Sequence, residues 1–303
     1  AHVAGFGIQL GGLRPSEPLK EATLQCSKVA SLTGLAPLLG RSVFCTLGRA
    51  CLLCYNEREC CVFQCDPSPG KDRKRMQTRK LTKYHIHTGR LTRPVDFAVV
   101  SDLHDEPYDD LWPLLDGADA LLVPGDVCDR YRQSSARGVA FLKEAADRLP
   151  TFFSLGNHET RQKQFRLLVG DLERTGAEVL INRYVRFGEC WIGGWYPPSI
   201  VREPDMMDQF EKLDGVKVLL CHKPEHYIKF MRGRALDLVV AGHAHGGQIR
   251  VAGRGVFSPG QGLFPRYTCG VVDGRMVISA GAGNPVHLPR WGNPCEVLRI
   301  TLD

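Results

Sequence analysis

Two histidines in a glycine-rich segment, GHAHGGQ at residues 242–248, follow the apolar run at residues 236–241. Histidine is the side chain that most often binds metals, and small flanking residues leave space for an ion and a substrate. Side chains at positions i and i+2 of a strand share a face, so His243 and His245 are predicted to point into one crevice. Taken alone, such a segment is more often a solvated turn.

Metal-binding residue types follow four further apolar runs upstream of this segment. In open α/β sheets, ligands bind outside the carboxyl ends of the strands, so five such strand ends can build one site. Their occurrence in order favours a metal centre over a solvated turn. The run at residues 95–101 leads into Asp102 and His104, and the run at 118–124 leads into Asp126 and Asp129. The run at 151–155 leads into Asn157, His158 and Glu159, and the run at 216–221 leads into His222.

Strands and helices must alternate along the chain to position these residues. Ser134 and Ser135 can cap one helix, and Gly176 is typical of the end of another. The mixture of helices and short strands predicts an α/β protein in which two facing sheets are flanked by helices. The predicted helices lie at residues 109–115, 134–149, 160–175, 204–213 and 224–232, and the further strands at 81–88, 178–181, 184–187, 190–194, 276–279 and 295–302.

Length and composition are those of a soluble globular protein. The chain has 303 residues, of which 43% are hydrophobic and 24% are charged. The net charge of +6 is uneven, because residues 1–93 hold 15 Lys and Arg against 6 Asp and Glu, and the remainder holds 24 against 27. Arg41 and Arg49 interrupt the apolar residues between positions 29 and 55, so neither a membrane span nor a secretory signal is predicted. Localisation stays open between a cytoplasmic and a membrane-associated protein.

Residues 1–79 are predicted to form a cysteine-rich and basic N-terminal segment, and residues 80–303 a larger folded domain. Seven of the 12 cysteines lie between Cys26 and Cys65. Reduced thiols in a poorly ordered appendage are the favoured interpretation. A small zinc module, suggested by the C-x-x-C at residues 51–54, and disulfides are the alternatives. The later cysteines are typical of buried apolar positions in a reducing compartment: Cys128, Cys190, Cys221, Cys269 and Cys295.

A run of seven Lys and Arg occupies residues 71–83. A solvated linker after Pro67-Ser68-Pro69-Gly70 is the favoured interpretation. The alternative is peripheral contact with an anionic membrane, where each Lys or Arg contributes about 1 kcal/mol. Nucleic acid is disfavoured as a partner, because no aromatic residues alternate with these charges and the rest of the chain is slightly acidic.

The ordered motifs D-x-H, G-D-x-x-D, G-N-H-[D/E], a lone His and G-H-x-H resemble those of the calcineurin-like metallophosphoesterases. The resemblance covers roughly residues 80–303. Within that superfamily, GHAHGGQIR, GLFPRY at residues 262–267 and the final NPCEVLRITL are most similar to the phosphodiesterases of the YkuE and YaeI type. The resemblance implies a four-layer αββα sandwich and a dinuclear metal-dependent phosphohydrolase, in particular a phosphodiesterase.

Two divalent metal ions are implied as cofactors. The mixed nitrogen and oxygen ligands suit Mn, Fe, Zn or Ni better than Ca²⁺ or a Mg²⁺ site made of oxygens alone. Two such ions can neutralise a phosphoester and provide a bridging hydroxide for in-line attack on phosphorus. The resemblance implies that Asp126 bridges the ions, that Asp102, His104 and His245 complete the first site, and that Asn157, His222 and His243 complete the second.

His158 is the candidate general acid, which would protonate the leaving oxygen. Asp129 would pair with its other nitrogen and keep it protonated. Asn157 and Arg130 are the candidates for substrate binding, although a solvated arginine at a strand end is the alternative for Arg130. Glu159 is predicted to support the site or to cap a helix rather than to bind metal.

The sequence leaves two classes of function open. A hydrolase of phosphoester substrates is favoured, because none of the seven ligand positions is lost. A non-catalytic domain that binds a partner on the same fold is the alternative. Within the enzyme class, a hydrolase of lipid-linked pyrophosphates or a nuclease would use the same metal site.

For the other conspicuous residues, ordinary structural roles are predicted. His85 and His87 are expected on the solvated face of an edge strand, and His226 on the surface of a helix. The Trp-Tyr pair at residues 195–196 either borders a substrate cleft or closes over the core. His287 is expected to be an ordinary loop residue rather than to line the mouth of the site.

Overall fold

The computed structural model describes residues 46–47, 50–51, 79–285 and 288–303. The chain divides into two units, Ala1–Cys65 and Asp66–Asp303. In the first unit, the described residues form an antiparallel pair of β1 (Thr46–Leu47) and β2 (Ala50–Cys51). The predictions for the cysteine side chains of this segment, and for His287, lie outside the described residues.

One six-stranded sheet of the second unit carries the strands before the first three motifs. Its order is β3-β18-β4-β5-β6-β7, and every neighbouring pair is parallel except β18 and β4. The predicted edge strand is present as β3. These strands are β3 (Lys80–Ile86), β4 (Val95–Val99), β5 (Ala120–Val123), β6 (Thr151–Phe153), β7 (Glu178–Val179) and β18 (Glu296–Leu302).

A second six-stranded sheet carries the strands before the two later motifs. Its order is β16-β17-β11-β10-β9-β8, with the four central strands parallel and the two outer strands antiparallel to their neighbours. Its strands are β8 (Arg183–Phe187), β9 (Cys190–Gly194), β10 (Val216–Leu220), β11 (Leu238–Ala241), β16 (Gly270–Val272) and β17 (Met276–Ile278).

Two short hairpins separate β11 from β16. The first pairs β12 (Arg250–Val251) with β13 (Arg254–Gly255). The second pairs β14 (Phe257–Ser258) with β15 (Gly262–Leu263). Both lie in the segment directly after the GHAHGGQ motif, so they extend from the same end of β11 as its two histidines.

Alternating apolar side chains build three layers of core. In β4, Phe97 and Val99 point into the core between the sheets, whereas Ala98 points to the opposite face. In β10, Val218 belongs to the core between the sheets and Leu219 to the outer core. A strand that is apolar on both faces must be covered on both. The two sheets therefore pack face to face with helices outside, and the predicted four-layer αββα fold is confirmed.

Seven short α-helices among the described residues cover the outer faces or follow the motif strands. The helix predicted at residues 160–175 is shorter in the structure, at Phe165–Glu173, and a separate helix at Asn157–Thr160 precedes it. Ser134 accepts a hydrogen bond from the Ala136 amide at 3.1 Å, whereas Ser135 makes no side-chain cap. The helices are α1 (Trp112–Leu115), α2 (Ala136–Ala146), α3 (Asn157–Thr160), α4 (Phe165–Glu173), α5 (Pro198–Val201), α6 (Met207–Phe210) and α7 (Pro224–His226).

Three further helical turns among the described residues are not α-helical. A π-helix at Tyr227–Met231 continues α7, a 3₁₀ turn at Asp109–Leu111 precedes α1, and another at His245–Gly247 follows β11. Within the part of the chain that the structure describes, no helix combines the length and apolar character needed to cross a bilayer.

Arg79 corrects the prediction that the basic run is only a solvated linker. Its guanidinium pairs with Asp110 and donates to the carbonyl oxygens of Ala282 at 2.7 Å and Pro107 at 2.8 Å. The Arg79 side chain is only 3% exposed. The last part of the run therefore belongs to the folded unit, and Arg79 is not available to an anionic partner.

Candidate metal centre

Three of the five motif loops bend sharply where their strands end. Asp102, His104, Asp126, His243 and His245 all have positive φ angles, between 46° and 68°. This left-handed region is uncommon for residues other than glycine and clusters at functional sites. The prediction that His243 and His245 lie on one face of a strand is therefore wrong, because β11 ends at Ala241.

The first group of candidate ligands joins the loops after β4 and β11. Asp102, His104 and His245 each offer a ligand atom within 4.8 Å of the others. The Nε2 atoms of His104 and His245 lie 3.3 Å apart, and they are 4.0 Å and 3.7 Å from Asp102 Oδ1. The structure brings together the three residues predicted to complete the first site.

The second group joins the loops after β5, β10 and β11. It consists of Asp126, His222 and His243, all buried. His222 Nδ1 lies 3.1 Å from the carbonyl oxygen of Pro124, which can only accept a hydrogen bond, so Nδ1 carries a proton. In a neutral imidazole, the lone pair is then on Nε2, which lies 3.1 Å from Asp126 Oδ2. Such a bond to the other ring nitrogen is typical of metal-binding histidines.

Asp126 lies between the two groups. Its Oδ2 is 3.1 Å from His222 Nε2 in the second group and 3.9 Å from His104 Nε2 in the first. In the metal-free protein, burial acts against its charge, but His222 and then His158 outweigh burial and hold the pKa of Asp126 well below its usual range. An ionised carboxylate shared by two groups is what a bridging ligand requires.

The candidate ligands pass a test that does not depend on their motifs. Buried polar atoms in proteins nearly always have a hydrogen-bond partner, and each exception calls for an explanation such as an ion. His222 Nε2 lies 3.1 Å from Asp126 Oδ2, and this contact is an ion pair. Among the described residues, the buried atoms without a hydrogen-bond partner include four on predicted ligands: His104 Nδ1, Asn157 Oδ1, His222 Nε2 and His243 Nε2. These nitrogen and oxygen donors fit divalent transition metals.

Two motif glycines make room for the carboxylates. A Cβ atom on Gly156 would overlap the Oδ1 atom and backbone nitrogen of Asp126, and one on Gly242 would overlap Ser101 Oγ and Asp102 Oδ2. Each glycine directly precedes a predicted ligand, Asn157 in G-N-H-E and His243 in G-H-A-H. Their small size therefore lets the loops after β5 and β6 approach each other, and likewise the loops after β4 and β11, which come from different sheets.

Comparison with known families agrees with this geometry. Residues 95–247, just over half of the chain, match the family model described as calcineurin-like phosphoesterase. The chain belongs to this family. The match begins at the first residue of β4 and ends within GHAHGGQ, so it contains all the predicted metal ligands.

Three relatives of this chain show similar levels of identity. An uncharacterized protein of Bacillus subtilis, YpbG, is 26% identical over 252 residues, which cover 76% of this chain and 91% of YpbG. The phosphodiesterase YaeI of Escherichia coli is 28% identical over 124 residues, or 36% of this chain and 42% of YaeI. An uncharacterized metallophosphoesterase of Campylobacter jejuni is 26% identical over 167 residues, 51% of this chain and 43% of the relative. The chain thus spans less than half of the last two relatives.

His158 lies beside the first group. Its Nδ1 is 3.0 Å from Asp129 Oδ1, and its ring stands edge-on to that of His104 with 4.4 Å between centroids. Burial lowers the pKa of His158, but the carboxylates of Asp126 and Asp129 more than offset burial and raise it. The amide of Arg130 also approaches Nδ1 at 3.3 Å, but a protonated Nδ1 can only donate, and Asp129 is its acceptor.

The geometry gives His158 two possible roles. His104, Asp129 and His158 also form a group whose ligand atoms lie within 4.8 Å of one another. His158 could therefore bind metal, or it could donate a proton as the sequence predicts. Its neighbour Asn157 is 6% exposed and directs its Oδ1 to a position without a protein partner.

The Arg130 side chain packs on the side chain of Tyr131 rather than extending freely into solvent. Its guanidinium stacks on the Tyr131 ring at 4.5 Å and bonds the Tyr131 hydroxyl. The Tyr131 ring is in turn edge-on to His158 at 5.6 Å. Tyr131 was not a predicted site residue, and its place after G-D-x-x-D-R gives no sequence signal for this contact.

Two buried carboxylates hold the site loops by accepting hydrogen bonds from backbone amides. Glu159 accepts hydrogen bonds from the amides of Asp126 at 2.9 Å, Cys128 at 3.0 Å and Gly156 at 2.8 Å, as a supporting role predicts. Asp105 accepts from the amides of Asp129 at 2.6 Å and Gly138 at 2.7 Å. Asp105 was missed, because an aspartate directly after D-x-H has no distinct pattern.

Arg290 also contacts a predicted ligand. Its Nη2 lies 3.1 Å from His245 Nδ1, and its Nη1 donates to the carbonyl oxygen of Ala280 at 2.6 Å. Arg290 belongs to the loop before β18, more than 40 residues beyond GHAHGGQ, so no local pattern connects the two residues.

His85, His87, His226, Trp195 and Tyr196 lie outside the two groups. His85 and His87 are exposed and contact Asp303, as expected for an edge strand. His226 is partly buried against Trp195, with 5.4 Å between ring centroids, so its prediction as a surface residue is wrong. Trp195 and Tyr196 are each 3% exposed and close over the core rather than border a cleft.

Proposed function

We propose that this chain is a dinuclear metal-dependent phosphohydrolase that cleaves phosphodiesters. The observation that carries the proposal is the pair of adjoining groups, with Asp126 Oδ2 of one group 3.9 Å from His104 Nε2 of the other. Each group contains imidazole and carboxylate side chains, and the predicted ligands Asn157, His222 and His243 each have a buried atom without a hydrogen-bond partner among the described residues. The family membership and the printed name of the relative YaeI, a phosphodiesterase, support the reaction class and the choice of diester.

Asp102, His104 and His245 would hold one ion, and Asn157, His222 and His243 the other, with Asp126 shared. The two bound ions would neutralise the phosphate and supply a hydroxide nucleophile at neutral pH. Burial is the main cause that lowers the pKa values of His104, His243 and His245. These imidazoles are therefore neutral and keep the lone pairs that ligands need.

His158 would hold the proton that the leaving oxygen requires. Asp129 accepts from Nδ1, which leaves Nε2 as the nitrogen that can face a substrate. The raised pKa keeps the imidazole protonated closer to neutral pH, where a general acid is effective. Arg130, stacked on Tyr131 beside His158, would place a positive charge near the phosphate oxygens.

The non-catalytic alternative is less well supported. A domain that only binds a partner has no need for buried ligand atoms without partners, which cost about 1 to 3 kcal/mol each when they stay unsatisfied. All seven predicted ligand positions are occupied by metal-binding residue types. A hydrolase therefore explains more of the structure than a binding domain does.

Hydrolysis of bis-p-nitrophenyl phosphate tests the proposal. Metal-stripped protein should regain activity when Mn²⁺ is added, and Asp126→Asn should abolish it. The monoester p-nitrophenyl phosphate should be the poorer substrate; a preference for it would overturn the choice of diester. Failure to bind any divalent metal, measured by elemental analysis after dialysis, would overturn the metal centre itself.

A further inference from the structure

Large apolar side chains are exposed on the segment that follows the metal-binding GHAHGGQ motif. Soluble proteins rarely expose a large group of apolar residues without a binding function. Leu263 and Phe264 are 71% and 79% exposed, and Trp291 is 64% exposed. The exposed apolar residues of this region are Val251, Phe257, Leu263, Phe264, Leu288 and Trp291.

Backbone pairing holds several of these residues near one another. Phe257 is the direct cross-strand partner of Leu263, so their side chains lie on the same face of the β14–β15 hairpin. The amide of Phe264 donates to the carbonyl oxygen of Val256 at 2.8 Å. Trp291 is joined to the β12–β13 hairpin, because its carbonyl oxygen accepts from the Arg250 amide at 2.8 Å.

The charge of this region is entirely positive. Residues 242–272 contain three arginines and no Asp or Glu. Arg254 and Arg266 are exposed, and neither forms a salt bridge with an acidic residue in the described ranges. Phe257, Leu263, Phe264, Trp291, Arg254 and Arg266 are referred to below as the hairpin surface.

We propose that the hairpin surface docks on an anionic lipid bilayer. Peripheral proteins bind bilayers by inserting apolar side chains at the boundary of the headgroups, with basic side chains beside anionic lipids. Tryptophan is enriched at that depth, since its ring is apolar and its indole N–H is polar. The hairpin surface combines all three features, and its basic charge is complementary to an anionic lipid surface rather than to a neutral one.

The hairpin surface adjoins the candidate metal centre. The Val256 amide donates to the carbonyl oxygen of Gly247 at 3.2 Å, which attaches the second hairpin to the motif loop. In the turn of that hairpin, a Cβ atom on Gly260 would lie 3.5 Å from His243 Nε2. A docked bilayer would therefore lie next to the metal centre. If the proposed function holds, phosphoesters at the headgroup level are the substrate class that docking would present.

Vesicle sedimentation with the full chain tests docking without any enzymatic readout. Vesicles of phosphatidylcholine with phosphatidylglycerol should bind the protein, and vesicles of phosphatidylcholine alone should bind it weakly. The double variant Leu263→Ser with Phe264→Ser should lower binding at least about tenfold, because it removes two apolar side chains that would be buried in the docked bilayer. Arg254→Gln with Arg266→Gln should lower it about 30-fold and reduce its salt dependence.

Leu167→Ser is the matched control, because Leu167 on α4 is also exposed, at 65%, but lies outside the hairpin surface. It should leave vesicle binding unchanged. Trp291 gives an independent readout, since Trp195 is buried and Trp112 and Trp191 are partly buried. Brominated lipids should quench the fluorescence of the wild-type protein on docking, and Trp291→Phe should remove most of this quenching.

Two results would overturn the proposal. One is the absence of binding to anionic vesicles by protein whose circular dichroism shows that it is folded. The other is binding that persists in both hairpin double variants and is lost when Lys71, Lys74 and Arg75 are replaced by glutamine. Absence of bis-p-nitrophenyl phosphate hydrolysis by the metal-loaded wild-type protein would contradict the proposed function instead. The vesicle experiment does not depend on that result, because it measures binding and not activity.

Discussion

His158 and Asp129 form a fixed pair at the edge of the metal centre, with 3.0 Å between Nδ1 and Oδ1. Asp129 is itself held in place, because Asp105 accepts a hydrogen bond from its amide at 2.6 Å. The carboxylate therefore orients Nδ1 of the imidazole, and the proposed general acid would act through Nε2. Its charge also contributes to the raised pKa of His158.

Replacement of Asp129 by asparagine should shift the pH dependence of turnover. Asp129 favours the protonated imidazole, so its removal lowers the pKa of His158. The activity that requires protonated His158 should then be lost at a lower pH than in the wild-type protein. The measurement is kcat against pH for the Mn²⁺-loaded protein. Asp171→Asn, at an exposed ion pair on α4, is the control and should leave the profile unchanged; an unshifted limb in Asp129→Asn would separate Asp129 from proton transfer.

Replacement of His158 by asparagine should separate the two roles that its position allows. A general acid contributes about 10² to 10⁴ to the rate, so kcat should fall within that range while the metal content stays at two ions per chain. Elemental analysis of the dialysed variant gives the metal content. Loss of an ion together with turnover would assign His158 to the ligand group of His104 and Asp129 instead.

Gly156→Ala should damage the centre although it adds only a methyl group. The new Cβ atom would overlap Asp126 Oδ1 and the Asp126 backbone nitrogen, which other bonds hold in place. Overpacking of this kind costs about 1 to 3 kcal/mol, and the shared carboxylate would also shift. Both the free energy of unfolding in urea and the number of bound ions should decrease. Gly233→Ala is the matched control, because nothing lies within 4 Å of its added Cβ atom; equal behaviour of the two variants would contradict this account.

The residues of the candidate site could be selected from the sequence because each stands in a local motif after an apolar run. Asp102 follows a buried strand of one sheet, and His222 and His243 follow buried strands of the other. Ligands bind outside the carboxyl ends of such strands. The strand-based reason for His243 and His245 was nevertheless wrong. The loop leaves the strand at Ala241 with positive φ angles, which no hydrophobic pattern records.

Contacts between distant segments could not be predicted from the sequence. Arg290 approaches His245 across 45 positions of the chain, and Arg79 donates to Ala282 across 203. Tyr131 lies beside His158 because two separate loops bend toward each other. A single sequence contains local propensities, and these pairings depend on the packed fold.

Arg79→Gln should destabilise the folded unit. The guanidinium is almost fully buried and its three contacts connect Asp110, Pro107 and Ala282. Removal of one partner of a mostly buried pair should lower the free energy of unfolding by about 2 to 3 kcal/mol, measured by urea denaturation. Arg174→Gln is the control, because its pair with Asp171 is exposed on both sides, and it should cost less than about 1 kcal/mol. Equal costs for the two variants would place Arg79 outside the folded unit.

Removal of the metals should destabilise the protein, and the effect should increase with pH. A ligand present at 100 times its Kd stabilises the folded state by about 2.7 kcal/mol per site. In the metal-free protein, burial lowers the pKa of His222, but Asp126 more than offsets burial and raises it to about 9. His222 must lose this proton to bind a metal, so affinity should rise as the pH approaches 9.

The metal-free protein should show the opposite trend. Since the folded-state pKa of His222 lies above its unfolded value, the stability that this group contributes is present below about pH 6.5 and is lost as the pH rises toward 9. The difference in Tm between metal-loaded and EDTA-treated protein should therefore widen from pH 6 to pH 8 in calorimetry. Asp126→Asn should show little difference at any of these pH values, because it lacks the shared carboxylate. A wild-type difference that stays constant or narrows over this range would mean that His222 does not exchange its proton for a metal.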